Sequence, residues 1–290
     1  MKISTEIASC AKHVGERKAI EFFAKAGFDA WDFSMFAMAN YEWDTRKTTV
    51  TDHPLNGPGY LAFARELKRI GLDNGIHCNQ SHAPFPLCSP EIRSMMKRAI
   101  ECTAEAGGEI CIIHPDSELS VQENADMYWE LLPFAKDHGV KIATENMWGW
   151  DTELHHAIPM ACSNAPAFQA QLELVQDENF VVCLDLGHAE MRGLNTSAVE
   201  LIHALGSKLQ ALHIHDNDRW HDSHQIPFSM DIDWEAVAKA LADSGYPGYF
   251  TLEADVYLRD FTEDNLLQGC KDLAASARKL AAMVTGYRGA

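Results

Sequence analysis

The strongest constraint on the fold of this chain is a regular alternation of short apolar segments with longer segments of helical periodicity. Eight segments have the length and apolar composition of buried strands. They are 2–8, 30–35, 75–80, 109–115, 141–147, 180–187, 209–216 and 248–255. Helical segments alternate with them at 16–26, 58–73, 90–106, 121–138, 164–177, 197–206, 233–244 and 264–284. Ser89 and Asp233 precede two of these segments, where helix N-caps are expected.

Eight strand–helix units predict an α/β fold, the (β/α)₈ TIM barrel, with residues 1–290 as a single domain. A doubly wound sheet is the alternative, but it usually has fewer strands, and no GxGxxG motif follows the first strand segment. No linker or low-complexity tract divides the chain. Residues 34–57 are the one long irregular segment, compatible with a lid over a pocket or with a decorated surface loop.

Charge and cysteine content narrow the classes of function. A formal net charge of −18 argues against nucleic-acid binding, which normally shows as a basic patch or stripe. The N-terminus has no apolar leader and no stretch approaches the length of a membrane span, so we expect no membrane contact. The eight cysteines form no CxxC motif, and several lie in strand segments as small apolar residues. These features predict a cytoplasmic protein.

Polar side chains that can bind metal recur at the carboxyl ends of the predicted strands. They are His82, His114, Glu145, Asp185, His188, His213, His215, Glu253 and Asp255. In a TIM barrel all these ends lie at one rim, where active sites form. A single His or Asp at a strand end is more often a cap or turn residue than a ligand, but here six strands contribute. Buried carboxylates need compensating charge, so the set predicts a divalent metal site.

At these residues the chain resembles the xylose isomerase-like barrel superfamily, which contains sugar isomerases and epimerases as well as endonuclease IV-type repair enzymes. Ketose 3-epimerases of this superfamily hold one Mn²⁺ or similar ion with Glu, Asp, His and Glu from strands five to eight. The resemblance implies four metal ligands here, which are Glu145, Asp185, His213 and Glu253. Mn²⁺ is the first choice, with Zn²⁺, Co²⁺, Mg²⁺ and Fe²⁺ as alternatives, because mixed carboxylate and imidazole ligands suit such ions better than Ca²⁺.

The resemblance also implies substrate contacts. The HIGExxR-like stretch of the ketose 3-epimerases reads HIHDNDR here and places Arg219 at the substrate-binding arginine. His188 and Asp151 match a family histidine and a family carboxylate, Asp151 being shorter by a methylene, and His82 is a further candidate. His215 and Asp216 replace a Gly-Glu pair, and we interpret them as residues that support ligands or form a turn.

The nine-ligand, three-zinc pattern of endonuclease IV also finds a counterpart at every position. Beyond the four ligands above it includes His82, His114, His188, Asp222 and His224. Sugar isomerase-like members with a similar HIHDND stretch exist, so the pattern does not itself imply DNA repair. We expect one bound ion and keep two or three as the alternative.

The predicted function is that of a metal-dependent isomerase or epimerase of a sugar, sugar derivative or polyol. Glu145 and Glu253 would be the catalytic pair, transferring protons through a metal-stabilised enediolate. One alternative is a lyase or dehydratase acting on a keto-sugar or glycoside derivative; another is a multi-zinc phosphodiesterase, which the acidic charge opposes. A barrel that only binds ligands is the fourth possible function.

Candidates for stacking on a sugar are Trp31, Phe36, Trp148, Trp150 and Trp220, although ordinary packing is the interpretation we favour for each. A homodimer or homotetramer is compatible with a barrel of this size.

Overall fold

The computed structural model describes residues 1–289. Within this range a cylinder of parallel strands is surrounded by helices, which confirms the predicted TIM barrel. The barrel strands are β1 (Ile3–Thr5), β2 (Ala30–Ser34), β3 (His77–His82), β4 (Ile110–Ile112), β5 (Lys141–Glu145), β6 (Phe180–Asp185), β7 (Leu209–His213) and β8 (Phe250–Leu252). Strands β2 to β7 pair in chain order in one sheet, and β1 pairs with β8 in another. Parallel bridges from Glu6 to Asp32 and from Ile214 to Leu252 join the two sheets and close the barrel.

The helices that cover the barrel alternate with its strands. They are α1 (Ala8–Ala26), α2 (Tyr60–Asp73), α3 (Met96–Ala106), α4 (Val121–Asp137), α5 (Ala165–Leu174), α6 (Ala198–Leu205), α7 (Trp234–Asp243) and α8 (Leu266–Arg288). Short helices at Pro90–Arg93 and Leu186–Glu190, and 3-10 turns at Phe36–Met38, Pro54–Asn56 and Gly206–Lys208, lie in the connections. Asp233 caps α7 by accepting from the backbone N–H groups of Glu235 and Ala236, as its position predicts.

The barrel encloses a small apolar cluster and is covered by a much larger one. Alternate residues of the strands point in opposite directions. Ile112, Ala143, Val181, Cys183 and Ala211 form the small inner cluster, whereas the intervening side chains, such as Ile142, Val182 and Leu212, belong to the large cluster under the helices. The interior is therefore filled by side chains and is not a pore.

The structure corrects the predicted elements at three places. Helix α1 starts at Ala8 rather than residue 16, because Gly15 breaks it with a positive φ of 77° and hides the helical pattern before it. The predicted helix 90–106 is divided at residues 94–95. Residues 34–57 are not irregular throughout, because Ala39–Glu42 and Lys47–Val50 pair as an antiparallel hairpin, which we call the first hairpin. Alternation in strands this short is too weak a pattern to identify them.

A second hairpin follows β5. It consists of Trp148–Asp151 paired antiparallel with Pro159–His156, in a segment that the sequence left without assigned structure. Across residues 1–289, no helix combines the length and apolar character needed to cross a membrane. All the cysteines of this range are free thiols.

Candidate metal centre at the carboxyl rim of the barrel

The four predicted ligands come together at the rim, and we call them the central cluster: Glu145, Asp185, His213 and Glu253. Glu145, Asp185 and His213 are the last residues of β5, β6 and β7, and Glu253 follows β8 directly. Strand register brings them level, since Asp185 pairs with His213 and Glu145 pairs with Cys183. One ligand atom from each residue lies within 4.8 Å of the others, and all four side chains are buried.

His213 lies between the two glutamates. Its Nδ1 is 3.1 Å from Glu145 Oε1 and 3.4 Å from Glu253 Oε2. Burial opposes a charged imidazole, but Cys183, Glu145 and Glu253 outweigh it and hold the pKa of His213 well above its ordinary value. This arrangement places a nitrogen ligand and two carboxylates around one point.

The surroundings shift the pKa values of the two glutamates in opposite directions. Burial favours the neutral form of Glu145, but His213 and His114 hold the pKa of its carboxyl group well below the usual range. Burial raises the pKa of Glu253 well above the usual range, and the charge of Glu145 adds to this rise while His213 reduces it. One carboxyl group is therefore poised as a base and the other as an acid, a combination suited to proton transfer.

His82 and His114 lie on the β3–β4 side of Glu145. His114 Nε2 is 3.3 Å from Glu145 Oε2, and the two imidazole Nε2 atoms are 2.9 Å apart. Burial and then the neighbouring His114 hold the pKa of His82 well below its ordinary value, so its imidazole is neutral. These two histidines and Glu145 form a second group of candidate ligands that shares Glu145 with the central cluster.

A third group, the outer cluster, contains His188, His215, Asp222 and His224. The two carboxylate oxygens of Asp222 contact different rings: Oδ2 is 3.1 Å from His224 Nε2, and Oδ1 is 3.4 Å from His215 Nε2. His215 Nε2 is also 3.1 Å from Asp185 Oδ1, which links the outer cluster to the central one. A Cβ atom on Gly187 would overlap the His215 ring, so this position needs glycine.

Hydrogen bonds fix the orientation of three of these imidazole rings. The Nδ1 atoms of His82, His188 and His224 donate to the backbone carbonyls of Ala83, Asn146 and Glu253 at 2.7, 2.9 and 2.7 Å. Each ring then presents Nε2 to its cluster, as the atom that could bind an ion in place of a proton. Histidines that bind metals in proteins are commonly oriented in this way.

Unpartnered buried atoms show whether the site suits a cation. Glu145 Oε2, Asp185 Oδ2, His215 Nε2 and Asp222 Oδ1 are buried and have no hydrogen-bond partner among residues 1–289. Imidazole nitrogens lie 3.3 Å from Glu145 Oε2 and 3.4 Å from Asp222 Oδ1 without forming hydrogen bonds to them. Buried carboxylate oxygens that lack hydrogen bonds are costly. A divalent cation would satisfy these atoms, so the residues present fit a bound metal.

Two predicted substrate contacts lie outside the clusters. The guanidinium of Arg219 is 3.4 Å from the carboxylate of Glu190, and its side chain is about two-fifths exposed. Asp151 Oδ1 accepts from the backbone N–H groups of Glu153 and Leu154, closing the turn of the second hairpin. The structure thus gives both residues local partners.

The aromatic candidates separate into core and rim. Trp31 is wholly buried against Phe33, which is the ordinary packing that the sequence analysis favoured over stacking on a sugar. Phe36 contacts His82 edge to face, and the Trp148 Nε1–H donates to Asp222 Oδ2 at 3.3 Å. Further along the rim, Trp150 stacks on His221 and Trp220 lies under Arg192.

His215 is the residue that sequence reasoning assigned to a supporting or turn role and that the structure places inside a cluster. The signal was present, since His213 and His215 are two residues apart at a strand end and therefore face the same side. The approach of Asp222 from the following loop, which completes the cluster, was not predictable from that spacing.

Comparison with known sequences identifies the family. The family model described as "Xylose isomerase-like TIM barrel" matches residues 20–278. An uncharacterized protein of Methanocaldococcus jannaschii is 27% identical in an alignment that covers 76% of this chain and 78% of that protein. An uncharacterized protein of Sinorhizobium fredii is 25% identical in an alignment that covers 92% of each chain.

Solved structures share the fold over the whole chain. A D-tagatose 3-epimerase-like protein has a TM-score of 0.72 at 20% identity, covering 100% of this chain and 99% of its own. The IOLI protein, solved with a bound zinc atom, has a TM-score of 0.71 at 19% identity and 99% coverage of both chains. The 3-keto-D-glucoside 4-epimerase of E. coli has a TM-score of 0.68 at 16% identity, covering 96% and 99%. At such identities the likeness establishes a shared fold.

Proposed function

The chain belongs to the xylose isomerase-like TIM barrel family, and from this premise we propose that it is a metal-dependent isomerase or epimerase of a sugar, sugar derivative or polyol. The observation that carries the proposal is the central cluster, in which two buried glutamates flank one histidine at the barrel rim. Similar solved structures described as sugar epimerases, and one described with zinc, support it.

Glu145, Asp185, His213 and Glu253 are the proposed ligands of one divalent ion, with Mn²⁺ as the first choice and Zn²⁺, Co²⁺, Mg²⁺ or Fe²⁺ as alternatives. When bound, such an ion supplies Lewis-acid polarisation of a substrate carbonyl and its neighbouring hydroxyl. The unpartnered oxygens of Glu145 and Asp185 are the atoms that most need such a partner.

Glu145 and Glu253 are the proposed catalytic residues. One of the two removes a proton from the carbon next to the carbonyl, and the other returns one, with an enediolate between the two transfers. Return to the other face of the same carbon gives an epimer, and return to the neighbouring carbon gives an aldose–ketose isomer. The two roles reverse for the opposite reaction.

His82 and His188 are proposed substrate contacts. The Nε2 atom of His82 faces Glu145, and the Nε2 atom of His188 faces Asp222. Arg219 and Asp151 are further proposed contacts, and each would exchange a local partner for a substrate hydroxyl. Residues 34–57 are proposed as a cover for the His82 side, since Phe36 packs on that ring and Thr48 hydrogen-bonds to Ser89 at 2.6 Å.

A multi-metal hydrolase is a further candidate, ranked after the lyase or dehydratase, and one observation favours it. The group with His82 and His114 and the outer cluster offer places for a second and a third ion, as a phosphodiesterase would use. The net charge of −18 opposes a DNA substrate, so we rank this candidate below the isomerase or epimerase.

The test of the proposed function measures proton transfer directly. Protein loaded with Mn²⁺ is incubated with a panel of ketoses in D₂O, and each sugar is examined by NMR and mass spectrometry. We expect one deuterium to enter at a single carbon of the true substrate. Metal analysis of protein purified without chelator should show a bound divalent ion, and cleavage of an abasic oligonucleotide at catalytic rates without exchange into any sugar would contradict the proposal.

Matched variants test the catalytic pair in the same assay. We expect Glu145→Gln and Glu253→Gln each to lose more than about a hundredfold in exchange rate, the scale of general acid–base catalysis. Glu178→Gln, the same substitution at an exposed position, is the control and should exchange at the unaltered rate. Near-normal rates in both active-site variants would rule out the two-glutamate scheme.

A further inference from the structure

A chain of buried polar side chains runs through the barrel interior below the central cluster. Its members come from different strands and are at most 7% exposed: Ser4 on β1, Asp32 on β2, Asn79 and Gln80 on β3, and Thr251 on β8. The inner cluster on β4 to β7 is apolar, so this polar half of the interior requires an explanation.

The hydrogen bonds of these buried side chains form a series that runs from Ser4 to Asp32. Ser4 Oγ donates to Asn79 Oδ1 at 2.6 Å, and Asn79 Nδ2 donates to Thr251 Oγ1 and to Gln80 Oε1 at 3.2 Å each. Thr251 Oγ1 donates to Gln80 Oε1 at 3.3 Å, and Gln80 Nε2 donates to Asp32 Oδ2 at 2.9 Å. The series ends on the Asp32 carboxylate, which it holds in one orientation.

The Asp32 carboxylate faces His213 from below. Its Oδ2 is 3.5 Å from His213 Nε2, on the side of the ring opposite to the glutamates. His213 therefore presents Nδ1 to the central cluster, whereas His82, His188 and His224 present Nε2 to theirs. The other three rings are oriented by backbone carbonyls, and Asp32 occupies the corresponding place for His213.

We propose that Asp32 is a positioning residue for the metal site. Its carboxylate lies 3.5 Å from His213 Nε2, which forms no hydrogen bond among residues 1–289, and it is placed to accept the Nε2–H when Nδ1 binds the ion. A carboxylate in this place also makes the imidazole a stronger electron donor. Ser4, Asn79, Thr251 and Gln80 keep Asp32 from turning away. The inference rests on the proposed function in so far as that function requires a metal on His213.

The experiment measures metal binding and needs no sugar substrate. Co²⁺ is titrated into the full-length protein after chelator treatment, and both the dissociation constant and the visible d–d absorption spectrum are recorded. Asp32→Asn keeps the volume of the side chain and removes its charge. We expect it to weaken Co²⁺ binding by about tenfold to a hundredfold, the usual range for partners of metal-binding histidines, and to shift the absorption bands.

Thr103→Val is the matched control, because it removes a buried hydroxyl that bonds to Ser81 and Ala99 and lies outside the hydrogen-bonded series that reaches Asp32. We expect its affinity to stay within about threefold of the unaltered protein and its spectrum to be unchanged. A folded Asp32→Asn variant with unaltered affinity and spectrum would overturn the role of Asp32 alone. If the unaltered protein bound no Co²⁺, the proposed function would fail, and the role of Asp32 with it.

Discussion

Glu6 shows how a single buried carboxyl group sets a pH dependence. It follows β1, and both the backbone N–H and the hydroxyl of Ser9 donate to its carboxylate. Burial raises the pKa of Glu6 from 4.5 to about 7, Asp255 adds to the rise, and the Ser9 hydrogen bonds only partly offset it. The folded protein therefore holds a proton on Glu6 at pH values where the unfolded chain has released it.

The sign of the effect follows from this difference. Between pH 4.5 and about 7 the folded state binds more protons than the unfolded state, so the free energy of unfolding falls as the pH rises. Glu6→Gln removes this term. We expect the variant to gain about 2 to 3 kcal/mol relative to the unaltered protein between pH 5 and pH 8, as measured by urea unfolding in the presence of chelator.

The exposed substitution Glu178→Gln is the control for this measurement and should show no such pH-dependent difference. A constant difference between Glu6→Gln and the unaltered protein across this pH range would show that Glu6 is ionised in the folded state.

At the scale of elements, the second hairpin depends on a close contact between its backbone at Ala157 and the backbone at Arg192 and Gly193. Its Ala157 N–H donates to the Arg192 carbonyl at 3.2 Å, and Trp148 packs with Met191 and Leu194. Gly193 has a φ of +102°, and a Cβ there would overlap the Ala157 carbonyl. Trp148 also donates to Asp222, so the hairpin links the segment around Gly193 to the outer cluster.

Gly193→Ala should therefore loosen the second hairpin. We expect the free energy of unfolding to fall by more than about 1 kcal/mol, from backbone strain and overlap together, and proteolysis within residues 148–159 to become faster. Gly139→Ala is the matched control, because Gly139 also has a positive φ, of 69°, but has open space around its Cβ position. It should lose stability without faster cleavage of the hairpin, and equal cleavage in the two variants would contradict the role of Gly193.

At the scale of the whole molecule, carboxylates from different strands are gathered at one end of an already acidic barrel. Glu145, Asp185, Asp222 and Glu253 meet there, and the chain as a whole carries a formal charge of −18. The fold brings these groups together, whereas the unfolded chain separates them, so the complete set of metal ligands exists only in the folded state. A bound cation should therefore stabilise the entire fold rather than only the rim.

We expect the melting temperature to rise when Mn²⁺ is added to chelator-treated protein. Binding to the folded state alone contributes RT ln(1 + [M]/Kd), which is about 2.7 kcal/mol at a hundredfold excess over Kd. Differential scanning calorimetry over a series of Mn²⁺ concentrations measures this dependence. Asp185→Asn should abolish most of it, and a melting temperature that is the same in chelator and in Mn²⁺ would show that the central cluster binds no such ion.

Local patterns in the sequence were enough to predict the barrel. Each barrel strand falls within or closely overlaps its predicted segment, and the caps at Ser89 and Asp233 lie where predicted, because burial of an apolar strand and capping of a helix depend on neighbouring residues. The same locality explains the errors. The two hairpins were missed because their strands carry little apolar periodicity. The start of α1 was missed because Gly15 interrupts the helical pattern, although residues before it pack in the core.

The sequence by itself determined which residues end the strands and so which side chains share one rim. Only the tertiary structure decided how they meet: that the pKa values of Glu145 and Glu253 shift in opposite directions, that His215 joins Asp222, and that Asp32 faces His213 across the barrel. The physical reason is that these properties depend on distances between residues far apart in the chain. Such distances are fixed by barrel closure, strand register and burial, none of which a local pattern contains.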